Sequence, residues 1–231
     1  MRLESTFTGF IDRGDAGRRL GKAMRHHRGR PGTIVVALPC GGVVTAAELA
    51  EELDLPLDVL VVGRLASARY DDVPIGAIGA RGVRVLDDAA ISLCGVTPEE
   101  IEEATVRARI ELEHREHVLR DDLPPLAVAG LDVILVDDGI ATGTTMSAAI
   151  TLLRRQKVAR IILAVPVAPI EACYRLSRTV DELICLETPE TFLSVGRWYR
   201  EFSEVSEGEV LRALERARAR VAEPVMAAAA T

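Results

Sequence analysis

Aromatic side chains are scarce in this chain of 231 residues, which carries four Phe, three Tyr and one Trp. Half of them gather late, at Phe192, Trp198, Tyr199 and Phe202. That clustering admits a stacking surface for a planar base or an apolar plug for a small hood, and the plug accounts for it better. Cysteine is sparse too. Cys40, Cys94, Cys173 and Cys185 lie far apart with no C-x-x-C pair, so neither a zinc site nor a disulfide framework has support. No apolar run approaches the length of a membrane span, and residues 1–9 lack the apolar core of a secretory signal. The expectation is a soluble, cytoplasmic protein with no membrane partner. Excess positive charge is also missing: the formal net charge of -7 removes the electrostatic reason for nonspecific binding to nucleic acid. No internal repeat is present.

Apolar residues make up 48% of the chain, enough for a buried core, and the length suits one sizeable α/β domain over 1–231 with an appendage. The most informative stretch is 131–150, L-D-V-I-L-V-D-D-G-I-A-T-G-T-T-M-S-A-A-I. Its β-branched and aliphatic run 133–136 predicts a parallel strand covered on both faces. Asp137 and Asp138 follow at the strand end, then a turn with Gly139, Gly143 and the hydroxyls of Thr142, Thr144 and Thr145, then a helix over 146–155. The amides of that helix N-terminus, the threonine hydroxyls and the helix dipole together suit a monophosphate. Two carboxylates beside a phosphate would repel it. A sugar phosphate resolves the conflict, because ribose hydroxyls donate to the carboxylates while the phosphate lies in the turn and a hydrated divalent cation offsets the remaining charge.

The rest of the chain alternates strands and helices around an interruption. Residues 10–17 (F-I-D-R-G-D-A-G) enter a helix, with Asp12 or Asp15 as N-cap, that runs to about His27. His26 and His27 at its end read as a solvated terminus, since neighbouring helical side chains point about 100° apart and do not readily share a metal. A buried strand at 33–38 ends in Pro39-Cys40-Gly41-Gly42 before a helix over 43–53. The paired glycines let the backbone approach a ligand, so a second anion loop is expected there. A small side chain fitted into a tight loop accounts for Cys40 better than a reactive thiol. A third strand is expected at 57–62, followed by Gly63, Arg64 and a polar loop over 66–73 suited to a lid. A hairpin at 75–86 turns at Arg81-Gly82. Thr97-Pro98-Glu99-Glu100 then opens a long helix with a capping box, ended by 121–125. Segment 66–125 thus forms an inserted flap. Further strands are expected at 160–165 and 183–186 with a helix at 170–177 between them. A hood segment spans 188–221, including a charged helix from 207 to 221, and an Ala-rich, disordered tail covers 222–231. The fold class is α/β, an open doubly wound and mainly parallel sheet with an inserted flap and a small C-terminal hood.

The run V-D-D-G-I-A-T-G-T-T resembles the binding signature of type I phosphoribosyltransferases for 5-phosphoribosyl 1-pyrophosphate (PRPP). F-I-D-R-x-x-A-G, the L-P-x-G-G loop and V-G-R-W-Y-x-x-F resemble an uncharacterised bacterial-type subgroup of that family. The resemblance implies that Asp137 and Asp138 hold the ribose hydroxyls. It also implies that Ala141, Thr142, Gly143, Thr144 and Thr145 hold the 5′-phosphate, and that Pro39, Cys40, Gly41, Gly42 and Arg64 face the pyrophosphate. The implied reaction is transfer of the phosphoribosyl group from PRPP to a nitrogen nucleophile of a small-molecule acceptor, such as a nucleobase. Pyrophosphate is released, with Mg²⁺ carried by PRPP and waters near the acid pair; a homodimer is common in the family. The subgroup has Arg where Cys40 stands and V-R-K where this chain has V-G-R, with Arg69 a candidate substitute. These replacements motivate the alternative of a PRPP- or nucleotide-binding regulatory protein without turnover. Ala141 stands where 6-oxopurine enzymes of the family carry an acidic residue, which makes hypoxanthine and guanine poor acceptors.

Overall fold

A computed structural model of the chain describes residues 9–67, 70–79, 82–120 and 126–228. Its centre is a five-stranded parallel sheet of β1 (Thr33–Ala37), β2 (Leu57–Val59), β6 (Asp132–Val136), β7 (Arg160–Val167) and β8 (Glu182–Glu187), in spatial order β2-β1-β6-β7-β8. The strands read as apolar runs because both faces are covered. Val35, Ala37, Ile134 and Val136 face Leu20 of α1 (Arg13–Ala23), Leu49 and Leu53 of α2 (Gly41–Leu53) and Leu214 of α7 (Glu207–Ala228). The alternate residues Val36, Val133, Leu135 and Leu163 face Leu153 of α5 (Thr144–Arg155) and Leu176 of α6 (Ile170–Ser177). Each such side chain taken fully from water contributes about 1.5–3 kcal/mol, so the two-sided pattern fixes the register. The strand order reverses direction between β1 and β6, and in open α/β sheets ligands bind outside the carboxyl ends of the strands at such a point.

Between β2 and β6 the chain leaves this sheet. β3 (Val62–Ser67), β4 (Tyr70–Gly79) and β5 (Val83–Leu86) form a separate antiparallel sheet, followed by α3 (Asp88–Cys94) and α4 (Pro98–Arg120). This is the flap, and it begins earlier than the sequence suggests. The core strand expected over 57–62 ends at Val59, and Val62 already pairs with Gly79. The expected polar loop over 66–73 is largely hairpin, because Ala66 and Ser67 pair with Pro74 and Tyr70. Pairing across a local hairpin outweighs the polar composition that suggests a loop. Arg69, Arg81 and the expected helix stop at 121–125 lie outside the described residues. The capping box forms as read: the Thr97 amide donates to Glu100 Oε2 at 2.8 Å and the Glu100 amide to Thr97 Oγ1 at 3.3 Å.

Two further differences concern helix ends. α7 continues past Pro224 to Ala228, against the expectation of a disordered tail from 222; a proline costs one helical bond, and the Ala run around it favours helix. At the other end of the chain, α1 stops at Ala23 and residues Arg25–His27 tighten into a 3₁₀ turn. The 100° spacing therefore does not apply to the histidine pair. His27 is buried, not solvated, and its Nε2 lies 3.3 Å from Glu182 Oε2, while His26 Nε2 lies 3.2 Å from Oε1. The Arg160 guanidinium stands 3.5 Å from the same carboxylate, so the group ties the end of α1 to β8 through charge pairing that already includes a fixed cation.

Candidate active site

Two loops meet at the reversal point. Because β1 and β6 are parallel neighbours with Ala37 opposite Val136, the residues leaving them, Pro39–Gly42 and Asp137–Asp138, emerge side by side. The Pro39-Cys40 peptide is cis. Gly41 and Gly42 are required by space: a Cβ on Gly41 would stand 2.0 Å from Asp138 Oδ2, and one on Gly42 would stand 2.9 Å from Asp137 Oδ1. The first anion loop is therefore packed directly against the acid pair.

Each loop runs into a helix whose N-cap residue makes no side-chain hydrogen bond, α2 after Cys40 and α5 after Gly143, and in α5 the Thr144 amide reaches Thr142 Oγ1 only at 3.5 Å. Such a turn presents backbone N–H groups without internal partners, a natural seat for an anion. Gly143 has φ +80°, a left-handed conformation that turns the chain into α5. Thr142 Oγ1 and Thr144 Oγ1 are 3.3 Å apart, and Ala141, Thr142 and Thr145 are exposed. This turn opens on a cavity of about 510 Å³ lined by Thr142, Thr144, Ser147 and Arg175 on one side and by Gly76, Ala77, Val85, Leu86 and Asp87 of the flap on the other.

The acid pair is part-buried and held by named bonds. The Asp138 amide donates to Asp137 Oδ1 at 2.9 Å, and Arg13 Nε donates to Asp138 Oδ2 at 2.7 Å. Burial pushes both carboxyls above the ordinary carboxylate value. Asp137 stands well above it, because the charge of Asp138 adds to burial, whereas Arg13 opposes the rise at Asp138. At Cys40 burial pushes the thiol up, and its side chain packs against the core, which favours the small-side-chain reading over a reactive thiolate.

The family model for the phosphoribosyl transferase domain matches residues 15–198. The chain belongs to that family. Among family relatives, proteins from two strains of Mycobacterium tuberculosis, each named "putative phosphoribosyl transferase", are 38% identical over 214 residues. The match takes in 93% of this chain and 48% of those proteins, so the chain spans about half the length of the curated relatives it matches. A crystal structure from Thermus thermophilus is 35% identical, with a TM-score of 0.78 over 90% of this chain and 99% of that one.

Of the residues singled out in the sequence, Pro39–Gly42, Asp137, Asp138 and 141–145 converge on one edge of the sheet. Arg64 is carried by the flap. It lies in β3, in register with Ala77 on the flap sheet, because the core strand stops before it. Two residues that sequence reasoning missed, Arg13 and Arg175, and Tyr199 of the late aromatic cluster bond to these loops. Arg13 holds Asp138. Tyr199 donates its hydroxyl to the Asp138 carbonyl at 2.5 Å, its ring 5.3 Å from that of Phe10 and 4.9 Å from that of Phe202. Arg175 of α6 donates to the Thr142 carbonyl in the phosphate turn. Tyr199 is buried, so it plugs the hood against the acid strand and does not offer a stacking face. A signal for Arg13 is present in the sequence: it is the first residue of α1, where the helix dipole disfavours a cation, and such a residue implies a partner elsewhere.

Proposed function

We propose that this chain transfers the 5-phosphoribosyl group of PRPP to a nitrogen nucleophile of a small molecule, a nucleobase being the expected kind, and releases pyrophosphate. The observation that carries this is the meeting of two uncapped helix N-termini on either side of Asp137 and Asp138. One anion seat suits the 5′-phosphate and the other the pyrophosphate, and the carboxylates between them accept from the ribose 2′- and 3′-hydroxyls. In the reaction the C1–O bond to pyrophosphate breaks with its electron pair leaving on oxygen. The nitrogen lone pair forms the new C1–N bond, and the proton lost from nitrogen passes to solvent or to the leaving group. The acid pair lies near the positive charge that develops on the ribose, so its role is positioning and electrostatic stabilisation.

The donor chemistry fits Mg²⁺: two adjacent, part-buried carboxylates, which burial makes costly to keep charged without a cation, offer hard oxygen ligands or partners for its waters. When bound with PRPP, the ion supplies positive charge to the leaving pyrophosphate. The reading includes a cytoplasmic placement. No described helix is long and apolar enough to cross a membrane.

A second reading, a PRPP- or nucleotide-binding protein without turnover, is favoured by one observation: the loop Pro39-Cys40-Gly41-Gly42 carries no charged side chain. Calorimetric titration of PRPP with Mg²⁺, paired with pyrophosphate release across a panel of nucleobases, separates the two. Binding with release supports the transferase, and binding without release supports the second reading. Absence of PRPP binding overturns both.

A further inference from the structure

We propose that Arg13 binds the pyrophosphate end of PRPP directly, as the cation of a loop that has none of its own; this rests on the PRPP-binding reading above. Four residues, Pro39 to Gly42, form the first anion loop, and all are uncharged. With no cationic side chain on the loop, backbone amides and the Mg²⁺ that accompanies PRPP would have to hold a multiply charged pyrophosphate a few ångströms from two carboxylates, which repel it. The structure places a guanidinium at that point. Arg13 Nε is 2.7 Å from Asp138 Oδ2 and 2.8 Å from where a Cβ on Gly41 would stand, so the side chain lies beside both the acid and the loop.

Its setting is built. Arg13 NH1 donates to the Ser203 carbonyl at 2.7 Å, and the guanidinium lies over the Phe202 ring, 3.9 Å from its centroid. Only 11% of the Arg13 side chain is exposed. A guanidinium has five N–H donors in a planar fork. The bonds to Asp138 and Ser203 use two of them, leaving three for phosphate oxygens, and the stacking fixes the plane in which they point. One residue thereby offsets the charge of Asp138 and serves the leaving group. It also accounts for glycine at position 41, since any side chain there would drive the guanidinium away from the loop.

The test uses the full chain and inorganic pyrophosphate alone, without Mg²⁺, so that there is neither a ribose nor an ion to engage the acids. Isothermal titration compares wild type, Arg13→Gln, Arg13→Lys and Asp138→Asn, each checked for folding by circular dichroism. Arg13→Gln is expected to weaken pyrophosphate binding about 10- to 100-fold, the range for hydrogen bonds to a charged group. Arg13→Lys, which keeps the charge without the fork, should recover part of the loss. Asp138→Asn, which removes the competing carboxylate and keeps Arg13, should bind pyrophosphate at least as well as wild type. Should Arg13→Gln not fold, the order Asp138→Asn, wild type, Arg13→Lys from tighter to weaker decides the matter. Wild-type affinity in Arg13→Gln, or an equal loss in Asp138→Asn, would show that Arg13 acts only through the acid and overturn the inference while PRPP binding by wild type stands. If wild type binds neither PRPP nor pyrophosphate, the PRPP-binding reading fails and the inference with it.

Discussion

Replacing Gly41 by Ala sets two effects of opposite sign against each other. Gly41 is the first residue of α2, and on helix propensity alone Ala is favoured there by roughly 0.5–1 kcal/mol. Against this, the new Cβ would stand 2.0 Å from Asp138 Oδ2 and 2.8 Å from Arg13 Nε. Non-bonded contact to carbon is comfortable near 3.5 Å, so the carboxylate must recede by more than about 1 Å. That movement breaks its 2.7 Å bond to Arg13, a pair whose side chains are only 11% and 14% exposed. Losing a charge-assisted bond costs about 1.5–3 kcal/mol, and overpacking costs about 1–3 kcal/mol where it is not relieved. Relief by the side-chain movement makes these alternatives, not a sum, so the net effect is a destabilisation of about 1–2 kcal/mol. At this chain length each kcal/mol lowers Tm by roughly 2–4 °C, giving a fall of about 2–8 °C in scanning calorimetry. PRPP affinity should drop at least tenfold by titration calorimetry, about 1.4 kcal/mol. A variant that melts at or above wild type and binds PRPP normally would refute the packing of this loop against the acid.

Asp137→Asn should separate stability from binding. Burial and the charge of Asp138 hold the Asp137 carboxyl well above its ordinary 3.8, so between that value and the raised one the native state binds a proton that the unfolded state has released. Native stability from this group therefore falls as pH rises through the window, and Asp137→Asn should flatten the dependence of Tm on pH and melt above wild type at pH 7. A steeper profile, or a lower melting point at pH 7, would contradict the sign. Tyr199→Phe keeps the ring packing and removes the bond to the Asp138 carbonyl; leaving that carbonyl unpaired should cost about 1–3 kcal/mol in denaturant unfolding. Arg175→Ala removes the donor to Thr142 in the phosphate turn and should raise KM for PRPP about three- to tenfold with kcat little changed, as read from initial rates of pyrophosphate release.

The elements legible in the sequence are those whose causes are local. The run from Val133 to Thr145 carries its strand, its turn and its helix start within a few residues, and the structure keeps that order. The same holds for the Thr97–Glu100 capping box and for α6, which spans Ile170–Ser177 as read. Features set by distant partners are not legible in this way. Arg13 and Asp138 are separated by 125 positions, and Tyr199 and Asp138 by 61. His27 reads as solvated in the sequence because its partner, Glu182, lies 155 residues away. The flap boundary is hidden for a related reason. The stretch 57–67 is apolar enough to be one strand up to Val62, and only pairing with β4 shows that it belongs to two sheets. At the site itself the sequence indicates which residues suit phosphate and sugar, and it leaves out the side chains that orient them.

The central claim is that Asp137 and Asp138 grip the ribose of PRPP between two anion seats. Titration of PRPP into the wild-type chain and into the Asp137→Asn/Asp138→Asn double variant, with Mg²⁺ in both cells, tests it most directly. The account predicts saturable binding by wild type and none by the double variant, whose circular dichroism spectrum stays that of a folded protein. Equal affinity in the two would contradict it.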